Sequence, residues 1–178
     1  MDIPSKSSSA AEADRLLAEW EQRSLLASLA HARSANRSAA WDLRLGLVSA
    51  SVTAIVGTAI FASIAHDVST LARIIAGAVS VLAAVLTAVR TFAAPGQRKE
   101  AYERASRRHS AVRRQIEVVR TQLAAGEAFD VWARIEEVRI AGDEAAADSP
   151  NASPRLFDRT RREMKNELTW WDKLRRLA

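Results

Sequence analysis

Residues 45–65 read LGLVSASVTAIVGTAIFASIA, and residues 74–89 read IIAGAVSVLAAVLTAV. The first stretch carries no charge over about 21 residues, which corresponds to roughly 31 Å of helix at ~1.5 Å per residue. The hydrocarbon core of a bilayer is about 30 Å thick, so this length suits a single span. The second stretch lies between Arg73 and Arg90, whose stems can follow the helix while their heads reach the headgroups. Its usable span therefore extends over Leu71–Ala94.

The alternative for either stretch is the core helix of a soluble protein. Only the sequence HDVST, residues 66–70, separates the two stretches. A soluble domain of this size rarely encloses two adjacent helices that are apolar on every face. The sequence therefore predicts an integral membrane protein whose two spans are joined by a very short turn.

No strand pattern occurs along the chain, so the predicted fold is all-α. It consists of a two-helix transmembrane hairpin and a cytoplasmic helical bundle built from the N-terminal helix and about three C-terminal helices. The predicted organisation is a disordered N-terminus, residues 1–9, followed by a single domain, residues 10–178. That domain comprises a cytoplasmic helix 10–42, transmembrane helix 43–66, external turn 67–70, transmembrane helix 71–94 and cytoplasmic helices 95–178.

Local signals place the helices of the bundle. Ser9 and Glu12 have the spacing of a capping box, and no Pro or Gly follows before Gly46, so the first helix is expected to run into the first span. Its apolar residues are Leu16, Leu17, Trp20, Leu25, Leu26 and Leu29. After Pro95 a heptad seam predicts coiled-coil packing on a neighbouring helix or on a sister subunit. The seam consists of Tyr102, Ala105, His109, Val112, Ile116, Val119 and Leu123. Gly126 is expected to end this helix, and Ser153-Pro154 to begin the last one.

Basic residues near the spans set the expected orientation. Arg33, Arg37 and Arg44 precede the first span, and a larger group from Arg90 to Arg108 follows the second. Both termini are therefore expected to be cytoplasmic. The predicted membrane-interface anchors are Trp41, Arg73 and Arg90, although the two arginines could instead form cationic rings at the mouths of an oligomer.

Small residues recur every four positions in both spans. The rows are Gly46, Ala50, Ala54, Thr58 and Ala62; Ser49, Thr53 and Gly57; and Ala76, Ser80, Ala84 and Ala88. Such rows let membrane helices approach closely, either within one hairpin or between subunits. In the second case hydroxyl groups could line a weakly polar pore. The candidate packing or pore-lining residues are Ser49, Thr53, Gly57, Gly77, Ser80 and Thr87.

Catalytic signatures are missing from the sequence. The chain has no Cys, its three histidines lack metal-ligand spacing, and its six glycines form no phosphate-binding loop. Paired acids such as Glu136-Glu137 lie in Arg-rich amphipathic segments, where they are typical of a solvated face. We therefore expect no enzyme activity and no catalytic, cofactor or metal site. The net charge of +5 arises largely beside the spans, which favours anionic lipid over nucleic acid as the partner.

Several local motifs in this order resemble one known family. They are Thr91-Phe92-Ala93-Ala94-Pro95 at the membrane exit, the helix Tyr102–His109, the segment Arg134–Arg139, and Asp148-Ser149-Pro150. Together with the hairpin, they are similar to the SLATT domain, a two-span effector associated with SMODS nucleotidyltransferases and SLOG sensor domains. The resemblance extends from about Leu16 to the end of the chain.

The resemblance implies an effector of antiviral conflict systems in the bacterial inner membrane, which forms pores or perturbs the membrane. It implies a homo-oligomer in the lipid bilayer, triggered by a separate sensor protein or a nucleotide second messenger. The alternative is a membrane-anchored helical scaffold that recruits a cytoplasmic partner. A small transporter is a third hypothesis, and it is disfavoured because neither span has an ionisable residue at mid-depth.

Overall fold

The computed structural model describes the backbone of residues 6–65 and 69–175, and the side chains of residues 9–58, 69–71 and 73–166. Its helices are α1 (Lys6–Ala65), α2 (Thr70–Ala93), α3 (Pro95–Ala124), α4 (Val131–Ala147) and α5 (Pro154–Arg175). No strand occurs in these described ranges, which confirms the all-α prediction.

The first helix begins earlier than predicted. α1 starts at Lys6, within the N-terminus predicted to be disordered, and Ser9 lies inside the helix instead of capping it. Once a helix exists, each further residue extends it without a new nucleus, and no Pro or Gly interrupts the chain between Lys6 and Gly46. α1 then continues through Gly46 and Gly57 to Ala65, as expected. Residues 1–5 lie outside the described part of the chain.

The second helix ends at a sharp break. Its last residue is Ala93, and Ala94 adopts φ +40°, a conformation that residues other than Gly rarely adopt. The N–H of Ala94 donates to the carbonyl of Arg90 at 3.2 Å, and Pro95 then occupies the first position of α3. At the other end α2 begins at Thr70, so the predicted turn 67–70 is one residue too long there. Residues 66–68 of that turn are not described.

Gly126 ends the third helix as predicted. Its φ is +70°, its N–H donates to the carbonyl of Leu123, and the N–H of Glu127 donates to the carbonyl of Gln122, each at 3.2 Å. This pair of hydrogen bonds is the Schellman motif, which favours Gly at the left-handed position. The next helix has a side-chain cap, because the Asp130 carboxylate accepts the N–H groups of Trp132 and Ala133.

The chain divides into two compact units, where the sequence predicted a single domain over 10–178. The apolar unit is Asn36–Lys99, and the charged unit comprises the chain up to Ala35 and from Glu100 onward. The division arises because each unit packs mainly on itself. The apolar unit pairs the second half of α1 with α2, and the charged unit packs the first half of α1 with α3, α4 and α5.

The heptad seam of α3 is buried inside the charged unit. Ile116 is completely buried, and Val112 and Val119 are each 5% exposed. They pack against Ala13 and Leu17 of α1 and against α4, so the seam packs on neighbouring helices of the same chain. It is therefore covered in this structure and does not offer a surface to a sister subunit.

The buried stripe of α1 differs from the predicted leucine stripe. Leu17 is fully buried, but Leu25, Leu26 and Leu29 are only half-buried. The buried positions that follow are Ser24, Ser28, Ala30, His31, Ser34 and Ala35. Small side chains there allow close approach to α3, where the Ser106 hydroxyl donates to the Ser28 carbonyl at 2.9 Å.

Candidate functional site

The apolar unit is the candidate site, because its helices expose the apolar surface of the chain. Two 18-residue windows, one within Ser9–Thr58 and one within Arg73–Ala124, are apolar enough to cross a membrane, with mean hydropathies of 1.3 and 2.0. No residue of either window is buried. The core helix of a soluble protein would bury most of such a window, whereas the described residues of this chain leave both windows uncovered.

The two helices of this unit pack antiparallel. Asp42 of α1 contacts Arg90 of α2, and Ser49 of α1 contacts Thr87 of α2. The residue numbers therefore increase along one helix where they decrease along the other. The half-buried contact stripe repeats at alternating spacings of three and four residues, which is the pattern of left-handed helix pairs. It consists of Leu45, Ser49, Val52 and Val56 on α1, and Ala76, Val79, Ala83 and Leu86 on α2.

An ion pair joins the two helices at one end of this stripe. The Nε of Arg90 donates to Oδ1 of Asp42 at 3.0 Å, and the two side chains are 47% and 35% exposed. The guanidinium passes over Gly46, where an added Cβ would lie 3.4 Å from Nη1 of Arg90. The absence of a side chain at Gly46 thus leaves room for the arginine to reach across to the other helix.

Arg90, predicted to be a membrane-interface anchor or part of a cationic ring, pairs its charge with Asp42 in the structure. Sequence reasoning missed Asp42, although a signal was present. Asp42 and Arg90 are equidistant in sequence from His66, so a tight hairpin centred there places them opposite each other.

The other predicted anchors make no comparable pairing among the described contacts. Trp41 is 50% exposed, and Arg73 is exposed near the beginning of α2. Large apolar side chains surround them on the surface, with Leu43 at 64% and Leu71 at 68% exposure. This arrangement matches an aromatic and a basic residue at the ends of an apolar band.

The structure brings together only two of the predicted pore-lining hydroxyls. Ser49 Oγ lies 3.5 Å from Thr87 Oγ1, at the outer limit of a hydrogen bond. Thr53, Ser80 and Thr87 each donate to the carbonyl four residues earlier in their own helix, at 2.9 Å. Hydroxyls bonded in this way need no partner outside the helix.

The rows of small residues follow the contact stripe for only part of each helix. A step of four residues turns about 40° around a helix, so such a row winds from the stripe onto the exposed face. Ala50, Ala54, Ala84 and Ala88 are exposed. Gly57 and Gly77 have no atom within 4 Å of an added Cβ. Close packing within one helix pair therefore does not account for most of these small residues.

Within the described residues, no group of three or more His, Cys, Asp or Glu could hold a metal ion. The ionisable residues of the charged unit form ion pairs instead. Arg120 of α3, for example, donates to Asp14 and Glu21 of α1, and these hydrogen bonds raise the pKa of its guanidinium.

No family model, curated protein or solved structure matches this chain.

Proposed function

We propose that this chain is a two-span membrane effector of bacterial antiviral or nucleotide-signalling conflict systems, which assembles into oligomers that permeabilise the inner membrane. The observation that carries the membrane part is the unburied apolar surface of α1 and α2. Large side chains such as Ile55, Ile74 and Val81 are 61–66% exposed, and at about 25 cal/mol per Å² such a surface strongly favours lipid over water. The antiviral part is supported by the resemblance to the SLATT domain.

Oligomer formation is supported by the exposed small residues. Gly57, Gly77 and the alanines of both helices give a surface on which a second helix could approach closely. Among the described residues, no atom lies within 4 Å of a Cβ added at Gly57 or Gly77. In the proposal, other copies of the chain cover this surface when the oligomer forms, and lipid covers it before.

The proposed topology places both termini in the cytoplasm and residues near Ser69 outside. Because the chain has no Cys, one introduced thiol reports on one position. Ser69→Cys is expected to react with a membrane-impermeant maleimide in intact cells, and Arg104→Cys only after lysis. Labelling of Arg104→Cys in intact cells would contradict this orientation.

Membrane potential in bacteria expressing the chain tests permeabilisation. The wild type is expected to depolarise the cells. Gly57→Leu is expected to abolish the effect, since the added bulk would keep a second copy from the close approach that the oligomer needs. Ile55→Leu, at an exposed position of the same helix, is the matched control and is expected to keep the activity. Depolarisation by Gly57→Leu at the wild-type level would contradict a close-packed oligomer.

The second candidate is a membrane-anchored scaffold that recruits a cytoplasmic partner. One observation favours it: the contact stripe consists mainly of valine, leucine and alanine, and the hydroxyls of Thr53, Ser80 and Thr87 donate to carbonyls of their own helices. A polarised membrane with the wild-type protein fully inserted, also after co-expression of a sensor, would support the scaffold over the effector.

A further inference from the structure

Two buried histidines of the charged unit stack on each other. The rings of His31 in α1 and His109 in α3 are parallel within 2°, with centroids 5.5 Å apart. Their exposed fractions are 4% and 9%. Tyr102 and Phe157 each place a ring 6.0 Å from that of His31. The stack therefore lies where α1, α3 and α5 meet.

The hydrogen bonds around the stack fit uncharged imidazoles. The Ser149 hydroxyl donates to the Ala145 carbonyl at 2.6 Å, so at its 3.3 Å contact with Nε2 of His109 it acts as the acceptor. His109 then carries its proton on Nε2. Nδ1 of His31 is buried without a hydrogen-bond partner, and a proton placed there would find no acceptor.

The acidic groups on the packed elements do not compensate a charge on the stack. Glu163 of α5 pairs with Arg33, Asp148 at the end of α4 with Arg108, and Asp143 of α4 with Arg139. Tyr102 donates its hydroxyl to the Asn151 carbonyl at 3.0 Å. On the α1 side, Arg23 pairs with Glu19. These four carboxylates are thus each paired with an arginine, and no carboxylate is among the groups that shift the pKa of either histidine.

Burial lowers the pKa of both histidines, and for His31 repulsion from His109 lowers the pKa further. In the unfolded chain each imidazole regains a pKa near 6.5. At a pH between the lowered pKa of the folded state and the pKa of the unfolded state, the unfolded chain therefore binds more protons than the folded chain. The stability of the charged unit consequently falls as the pH drops below about 6.5. Above that pH both rings are neutral in either state, and the stability is fully present.

We propose that the His31–His109 stack is an acid-sensitive contact between α1 and α3. When the cytoplasm acidifies, protonation of the stack separates the two helices. Protonation of either ring places a charge in a site that has aromatic neighbours and no free carboxylate. The separation of α1 from α3 returns the imidazoles to water and exposes the serine-lined contact between the two helices. The inference concerns the charged unit and does not depend on the proposed pore.

Hydrogen–deuterium exchange of the full chain in lipid nanodiscs tests the proposal, with rates corrected for the intrinsic effect of pH. Between pH 6.5 and 5.5 the protection of residues 27–35 and 105–112 is expected to fall, by up to about tenfold per pH unit for each histidine. Unchanged protection in the wild type over this range would overturn the proposal.

The double variant His31→Phe/His109→Phe keeps two flat rings without a titrating group. It is expected to show the same protection at both pH values, and His66→Gln, the control at the third histidine, to respond like the wild type. An undiminished pH response in the double variant would refute the role of the stack. A readout that needs no variant is the titration of ¹³C-labelled histidines in the wild type. Two coupled midpoints below 6.5 that coincide with the loss of protection support the proposal, and midpoints at or above 6.5 overturn it.

Discussion

Replacing Ile116 by Ala tests whether the heptad seam of α3 serves the fold of one chain or the contact between chains. Ile116 is completely buried among residues of α1 and α4. The substitution removes three carbons, which at ~0.8 kcal/mol per buried methylene costs about 2.4 kcal/mol. The cavity left behind raises the loss of stability to about 3 kcal/mol or more. The same change at Ile140, which is 46% exposed, is expected to cost about 1 kcal/mol or less, since Ala is also the better helix former.

Hydrogen exchange of α3 amides in nanodiscs measures the difference between the two variants. About 2 kcal/mol corresponds to roughly 30-fold faster exchange in Ile116→Ala than in Ile140→Ala. The oligomeric state, followed by light scattering, is expected to remain that of the wild type. Equal exchange in the two variants, or a loss of oligomers in Ile116→Ala with α3 still protected, would refute the intramolecular seam.

Three further predictions concern local contacts. Asp130→Ala removes the cap of α4 and is expected to cost about 1 kcal/mol, seen as faster amide exchange at Trp132 and Ala133; no change there would contradict the cap. Ala94→Gly relieves the left-handed backbone conformation and is expected to raise the stability of the apolar unit by roughly 1 kcal/mol, measured by the midpoint of denaturation in detergent; a lower midpoint would show that Ala94 is unstrained. In a double-mutant cycle with Asp42→Ala and Arg90→Ala, a coupling of about 0.5–1 kcal/mol is expected for a partly exposed pair, and additive effects of the two changes would show that the pair is not stabilising.

The sequence was sufficient for features that depend on local chemistry. Gly126, Pro95 and Pro154 mark helix ends by backbone constraints that act within a few residues, and the structure has ends at these places. The two apolar stretches were equally plain, because length and the lack of charge can be read without knowing what packs on them. The start of α1 was misjudged because the fraying of a helix terminus depends on a balance of small energies.

Features that depend on how two helices align could not be predicted in the same way. The partnership of Asp42 with Arg90 requires the register of the helix pair, which periodicity within one helix does not give. The equal distance of the two residues from His66 was the available signal for that register. The buried stripe of α1 was misjudged for a related reason. Ser24 and Ser28 are buried, and α3 approaches closely at Ser28, while half-buried leucines flank the contact. Hydropathy ranks leucine above serine, whereas the geometry of the contact selects the smaller residue.

The hydroxyl groups of the apolar unit have a consequence for how its surface meets its surroundings. Thr53, Ser80 and Thr87 are exposed, and each is bonded to a carbonyl of its own helix. Facing acyl chains, such a hydroxyl leaves no polar hydrogen without an acceptor. Facing water, rotation about the single χ1 bond turns the same hydroxyl outward to bind solvent. These hydroxyl groups thus suit both media, whereas the large apolar side chains around them favour lipid, so a face that turns from lipid toward water leaves none of the three hydroxyls without a hydrogen-bond partner.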